Sequence, residues 1–446
     1  MFVDVSVRLT ARLCHVSATL RPRAGFPADR AVIEARLFIA LARYLAIIVK
    51  KEQSMLDGSA PPPGRVMPDL VCFSHLRWDF VYQRVQHLIG RAAQRYRVTF
   101  WEEPFYTDEP GHRLEIRLSP EGVTVVQPFM PWGADAVAIQ REMLDGLIQT
   151  RDIVDPVLWY YTPMALAFSD HLVGRPVVYD CMDELSAFAG ADTDLPGRER
   201  ELMRRAALVF TGGVSLFEAK RAQHPAVFAF PSGVDLAHFM PARSGLAEPV
   251  DQVAIGSPRI GFFGVLDERL DRDLLGNAAA LRPDWQFILI GPLSKLDPEE
   301  LPSGANLHYL PPKDYEELPA YIAHWDVAML PFALNDATRF ISPTKTPEYL
   351  AAGCPVVSTP VADVARNWGD SDCVTIAGDA ESFMAAADAL RALPSGWSSG
   401  MDARLAEMSW DGIWSRMAAL IETSRASTEV QLAVIDRKPE PPTLPV

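Results

Sequence analysis

Short apolar blocks recur along this chain from Asp69 to Ile376, each bounded by polar or turn residues and separated from the next by a stretch long enough for a helix. In the first half the blocks predict strands near Leu70–Ser74, Arg97–Trp101, Val123–Gln127, Val157–Tyr161, Val177–Tyr179, Leu208–Thr211 and Val227–Phe230. In the second half they fall near Ile260–Phe263, Phe287–Ile290, Leu307–Leu310, Val327–Leu330, Val356–Ser358 and Val374–Ile376. Strands spaced this way pair in parallel through right-handed crossovers. The pattern therefore predicts an α/β chain of two Rossmann-like, doubly wound parallel-sheet domains facing a cleft. Residues 1–66 are an extension and linker, 67–240 the N-terminal domain, 241–257 an interdomain linker and 258–394 the C-terminal domain. Residues 395–428 hold a crossover helix, with helical periodicity over Trp410–Ser424, and 429–446 a Pro-rich tail.

A length of 446 residues fits about two cores, and an apolar share of 49% with 22% charged residues is that of a soluble globular protein. The net charge of −15 argues against a general nucleic-acid binder. Five scattered cysteines, odd in number and without metal spacing, point to a reduced, cytoplasmic setting. Cys72 and Cys354 sit beside apolar runs and read as core. Ala31–Lys51 is apolar but interrupted by Glu34, Arg36 and Arg43, which makes it a poor membrane span. One reading is a helix lying in the inner membrane interface; the other is a disordered extension, with an upstream start codon, since Met55 and Met67 precede the first strand.

The densest chemistry lies in Phe340–Ser358. This segment follows a strand at Val327–Leu330 and opens a helix, expected to be capped by Thr346 with Pro347 at its first position and closed by Gly353. A strand-to-helix loop of this kind favours phosphate. Lys345 and Arg339 add positive charge, and Glu348 offers a carboxylate to two vicinal ribose hydroxyls. The plainer reading of Glu348 is a first-turn acid complementing the helix dipole.

These residues resemble the GT-B glycosyltransferases of the retaining family-4 type, the glycosyl transferases group 1, whose donor site carries a Glu-x7-Glu motif before a Gly-x-Pro-Val-Val strand. Glu348 matches the second glutamate, and Gly353-Cys-Pro-Val-Val357 the strand; Phe340 stands at the first glutamate. Pro231-Ser-Gly-Val-Asp235 with Phe239 is similar to the family's signature where the first domain hands over to the second. The resemblance covers roughly residues 67–425 and lies closest to a bacterial polysaccharide-synthesis subgroup. It implies a GT-B fold, a nucleotide-diphosphate sugar as donor substrate, no cofactor and no metal, retention of configuration, and a terminal helix crossing back onto the first domain. It also implies donor contacts from Gly264, Ser342, Thr344, Lys345, Thr346 and Glu348. The loop after Gly264 lacks the family's usual Arg and Lys, and Arg269 or Arg272 stands nearest to substitute.

Other clusters follow strands. Ser74–Arg84 presents His75, Arg77, Asp79 and Arg84, either as acceptor or sugar-diphosphate contacts or as ordinary loop and cap polarity. Tyr179–Glu184 gathers Asp180, Asp183 and Glu184, either to position acceptor hydroxyls and act as a base or to cap the next helix. Lys345, Arg339, Asp180 and Asp183 are the catalytic candidates. Asp192-Thr-Asp194 and Asp271-Arg-Asp273 read as chance matches to the Asp-x-Asp metal motif. The expected activity is hexosyl transfer to a glycan or lipid-linked acceptor, in the cytoplasm or at the inner membrane face, in cell-surface polysaccharide synthesis. Its rivals are a nucleotide-sugar 2-epimerase-like isomerase and a silent nucleotide-sugar-binding module.

Overall fold

A computed structural model describes residues 67–435, with side chains to residue 426. The first sheet contains β1 (Asp69–Phe73), β2 (Arg97–Trp101), β3 (Phe105–Thr107), β4 (Arg113–Leu118), β5 (Thr124–Pro131), β6 (Val157–Tyr160), β7 (Val177–Cys181), β8 (Leu208–Thr211) and β9 (Val227–Ala229). Their order is β3-β5-β2-β1-β6-β7-β8-β9, with β4 pairing β5. All pairings are parallel except that of β4, which runs antiparallel to β5. Neither β3 nor β4 is foreseen from the apolar blocks. The strand Arg113-Leu-Glu-Ile-Arg-Leu118 alternates but lies on the surface, with Ile116 and Leu118 exposed, so it never forms a continuous apolar run.

The central strands are buried on both faces, as parallel strands between helices must be. Leu70 and Cys72 point to one core, which includes Val85 and Leu88 of α1 (Arg84–Ala92). Val71 and Phe73 point to another, which includes Leu144 and Leu147 of α2 (Ala136–Thr150) and Leu202 of α3 (Leu195–Arg205). After β8 comes the short α4 (Val214–Lys220).

The second sheet orders β10 (Arg259–Phe263), β11 (Gln286–Ile290), β12 (Leu307–Leu310), β13 (Val327–Leu330), β14 (Val356–Ser358) and β15 (Val374–Ile376) as β12-β11-β10-β13-β14-β15, all parallel. β13 leads, through the loop after Leu330, to α5 (Lys345–Ala351), and β14 leads to α6 (Ala362–Trp368). Helix α7 runs from Trp410 to Ile435, beyond the expected start of the tail at 429. Trp410, Trp414, Met417 and Ile421 of α7 are buried in the N-terminal core with Leu70 and Cys72, so the chain's end returns to the first domain.

Residues 241–257 are not a free tether. Ile255 joins the C-terminal core, Arg259 donates to the carbonyls of Ile255 (Nε, 3.1 Å) and Gly256 (2.9 Å), and Gln252 donates to Tyr321 O at 3.2 Å. Asp363 of α6 accepts from the backbone N–H groups of Val214 (2.8 Å) and Ser215 (2.9 Å), capping α4 from the other domain. Cys72, Cys181, Cys354 and Cys373 are free and buried. Among the described residues no helix is long and apolar enough to cross a membrane. The expected interfacial helix at Ala31–Lys51, and residues 436–446, lie outside the described residues.

Candidate active site in the interdomain cleft

A cleft of about 530 Å³ opens where strands of both sheets end. On the C-terminal side β10 ends at Phe263-Gly264 and β11 at Ile290-Gly291, and both glycines adopt φ +149. A β-carbon on Gly291 would overlap the carbonyl oxygen of Gly264, and one on Gly264 would stand 3.0 Å from Lys345 Cε. The two strand ends lie flat against each other because neither carries a side chain, and this leaves the floor open to a ligand. Tyr82, Gln86 and the Trp78–Val81 loop after β1 close the cleft from the N-terminal side. Sharing Gly264 and Lys345 with it is a smaller cavity of about 100 Å³, lined also by Met182 and Asp183 after β7, Arg269, and Ser342–Thr344.

The charges in this space are unevenly satisfied. Glu348 is 4% exposed and its Oε2 has no hydrogen-bond partner. Burial pushes its carboxyl up to about 7, against the opposing pull of Lys345. Lys345 donates to Thr344 Oγ1 at 3.3 Å, lies 5.6 Å from the Phe263 ring centre, and is drawn below the usual lysine range by burial, with Glu348 opposing. Among the described residues lining the two cavities, Arg84, Arg269 and Lys313 are each paired with a carboxylate, whereas Lys345 is not. Arg269 does enter the small cavity, but Asp267 holds its guanidinium in a fork at 2.7–3.1 Å. Asp183 lines the small cavity and a neighbouring pocket as well; burial raises its pKa, with Arg269 opposing.

Several expected residues stand elsewhere. The helix α5 begins at Lys345, so Thr344 and not Thr346 is the cap residue, Pro347 is its third residue and Glu348 its fourth. Thr346 is buried with its hydroxyl unpartnered and does not line either cavity. Arg339 is exposed, sits 5.1 Å over the Phe340 ring and lines neither cavity. Phe340 packs against the N-terminal core and lines neither cavity. Asp180 is fully buried and forked by Arg84, whose Nη2 approaches to 2.9 Å while Nη1 donates to Phe230 O at 2.7 Å. That pair is structural, although Arg84 touches the small cavity's wall.

Glu184 is held by Lys220 at 2.7 Å, which also binds Glu199. Arg77 donates to Glu102 and to the carbonyls of Glu103 and Pro104 and stacks 3.7 Å over Phe105. Asp79 stays at the cleft rim, paired with Arg117. His75 faces the pocket next to Asp183, and burial lowers its imidazole to about 4. Arg272 pairs with Glu300 on the surface. Among the described residues no three His, Cys, Asp or Glu side chains converge as a metal site, and Asp192 Oδ1 accepts from its own loop at Asp194 N, 2.8 Å.

Sequence reasoning missed the loop after β12. Tyr315 stacks on Tyr82 of the other domain at 4.5 Å and on His238 at 4.1 Å, and lines the cleft with its hydroxyl unpartnered. Within the signature Pro231–Asp235 the unforeseen contact is that of Ser232, whose hydroxyl donates across the domains to Ser342 O at 3.2 Å. Gly291-Pro292, directly after the apolar β11, is a readable signal for the glycine that completes the cleft floor, since it repeats the Gly264 arrangement one strand away, whereas Tyr315 after β12 carries no such mark.

Comparison with known proteins agrees with this architecture. Residues 257–392 match the family model for glycosyl transferases group 1. A Bacillus subtilis protein named a teichuronic acid biosynthesis glycosyltransferase, TuaH, is 26% identical over 218 residues, spanning 45% of this chain and 55% of its own, so the match covers about half the length of that relative. Among solved structures, sucrose-phosphate synthase from Thermosynechococcus elongatus superposes with a TM-score of 0.60 at 15% identity, over 81% of this chain and 100% of its own. HepE from Anabaena, solved with UDP and glucose, gives 0.59 at 12% identity over 80% and 100%. An alpha,alpha-trehalose 6-phosphate synthase from Burkholderia multivorans gives 0.57 at 14% identity over 81% and 100%. With the two parallel sheets and the cleft between their strand ends, the solved structures show a GT-B fold for this chain, and residues 257–392 are similar to the domain of glycosyl transferases group 1.

Proposed function

We propose that this protein transfers a hexosyl group from a nucleotide-diphosphate sugar to a glycan or lipid-linked acceptor, in cell-surface polysaccharide synthesis at the cytoplasmic side of the membrane. The observation that carries the reading is the pairing of an unpartnered buried carboxylate oxygen on Glu348 with the unpaired cation of Lys345, in one cleft at the strand ends. A carboxylate with a free oxygen suits two vicinal hydroxyls, and a desolvated ammonium suits a diphosphate. TuaH, named for teichuronic acid biosynthesis, and HepE, solved with UDP and glucose, support the substrate class.

In the proposed reaction the bond between the sugar's anomeric carbon and the diphosphate oxygen breaks, and the electron pair leaves with the diphosphate. Lys345 stabilises that growing charge, a role worth most where water is excluded. The acceptor hydroxyl bonds to the anomeric carbon on the same face, and its proton passes to the departing phosphate oxygen. Configuration is retained, and no divalent ion is required. A second reading is favoured by the place of Asp183 between the small cavity and its neighbouring pocket: there it would take the acceptor's proton directly, with inversion.

The test is a nucleotide-release assay over a panel of UDP-, GDP- and ADP-sugars with glycan acceptors, run with excess EDTA, and NMR of the product's anomeric proton. Acceptor-dependent release that persists in EDTA, giving the donor's own anomeric configuration, is the expected result. An inverted product with Asp183→Asn inactive establishes the second reading. Conversion of donor without acceptor supports an isomerase and contradicts transfer.

A further inference from the structure

We propose that the cleft continues across the N-terminal domain as a groove for the non-reacting residues of a neutral oligosaccharide acceptor, ending on the stacked rings of Tyr106 and Trp132. The proposal rests on the transfer reading above and adds to it the length and charge of the acceptor.

Continuity comes from shared walls. Asp183 lines both the small cavity beside Lys345 and a pocket of about 360 Å³ that includes His75, Met182 and Phe188. That pocket shares Glu103, Thr162, Met164 and Asp192 with a third, of about 420 Å³, whose walls reach Trp101 at the end of β2, Gln140 of α2 and Tyr106 of β3. The three pockets therefore adjoin one another from the reacting end to the far edge of the N-terminal domain.

The far end is built to hold a flat apolar face. Tyr106 and Trp132 stack with centres 4.9 Å apart and planes at 22°, yet are 39% and 67% exposed. Two large rings side by side in water are unusual for a monomeric surface. Their faces carry negative charge density that attracts the C–H face of a pyranose. The rings are also pre-organised. Tyr106 lies in β3, paired with Met130 of β5; Trp132 N donates to Thr107 O at 3.3 Å. Beneath them Phe105 stacks on Phe129 at 4.9 Å, with Arg77 and Arg113 covering the pair at 3.7 and 4.3 Å. A rigid platform loses little entropy on binding.

The groove's charge chooses among glycans. In the third pocket Glu102, Glu103, Asp192 and Asp194 face one guanidinium, that of Arg198, 3.7 Å from Asp194, and the pocket before it adds Asp183, Asp267 and Glu268 against Arg269 and Lys295, so carboxylates outnumber cations in both. Carboxylates accept from sugar hydroxyls and repel uronate or phosphate, so a neutral chain is favoured.

The experiment titrates the full chain, with UDP present, against malto-, cello- and N-acetylchitohexaose and a hexagalacturonate, following tryptophan emission and calorimetric heat. At least one neutral hexamer should bind. Trp132→Ala and Tyr106→Ala should weaken it at least tenfold, Tyr106→Phe should not, and UDP affinity should stay unchanged in all three. Both positions are exposed, and melting temperatures check that the variants fold. Wild-type protein that binds UDP but no neutral hexamer overturns the groove and leaves the transfer reading standing. So does equal hexamer binding by Trp132→Ala, or tighter binding of the galacturonate. Protein that binds no UDP removes both.

Discussion

Two charge clusters, one in each domain, are satisfied in opposite ways. In the N-terminal domain Asp180 is forked by Arg84, which also caps Phe230 O, and Lys220 is shared by Glu184 and Glu199. Every charge there has its partner inside the protein. On the C-terminal side Lys345 has no carboxylate within ion-pairing distance and Glu348 keeps an unpartnered oxygen. Burial of a charge costs free energy unless it is paired. The first cluster meets that demand by itself, and the second leaves it for a ligand. Burial with an unmet valence, more than burial or charge alone, separates the candidate site from the scaffold.

The largest effect should follow from breaking the satisfied cluster. Arg84→Ala leaves Asp180 buried without a counter-charge and should cost about 3–5 kcal/mol of stability. Urea denaturation reads this as a lower midpoint. A variant with unchanged stability would show that Arg84 and Asp180 are not a structural pair.

Next comes Lys345→Met, which keeps the stem's packing and removes the charge. Turnover should fall about 100-fold, or ~3 kcal/mol, while the melting temperature stays or rises because a desolvated cation has gone. If instead stability falls and turnover holds, Lys345 belongs with the first cluster.

Glu348→Gln should weaken nucleotide affinity about tenfold, near 1.4 kcal/mol, since an amide cannot accept from both hydroxyls as a carboxylate does. The pH dependence sharpens this. The Glu348 carboxyl titrates near 7 in the folded chain against 4.5 in its ordinary setting, so the folded state holds the proton more tightly. That contribution to stability is present below about 4.5 and is lost as pH rises to about 7. Nucleotide binding requires the ionised form and should tighten over the upper part of the same range. In Glu348→Gln both slopes should flatten, and slopes equal to wild type would assign the titration to another group.

Much of this was legible beforehand, for physical reasons that differ by element. Parallel strands buried on both faces, such as Val327–Leu330, announce themselves as unbroken apolar runs, and the loop that follows must lie at a cleft. Lys345 and Glu348 belong to that loop and the helix it opens, and both line the cleft. The start of α5 was misjudged because the first turn of any helix has free N–H groups, so proline is tolerated at its third position as well as its first. The ion pair of Asp180 is invisible in the carboxylate cluster after β7, because its partner, Arg84, lies 96 residues away and only folding brings them together. Arg339 is near Lys345 in sequence, but the turn at Asp336–Thr338 leaves it exposed against Phe340. Strand β4 escaped notice because an exposed antiparallel strand needs no apolar run.

The central claim is that the unmet charges of Lys345 and Glu348 are completed by a nucleoside diphosphate. Calorimetric titration of UDP, GDP and ADP into wild type, Lys345→Met and Glu348→Gln tests it most directly. The account predicts that at least one nucleotide binds wild type at one site per chain and binds both variants more weakly. Binding by none of the three, or equal affinity in all three proteins, would contradict it.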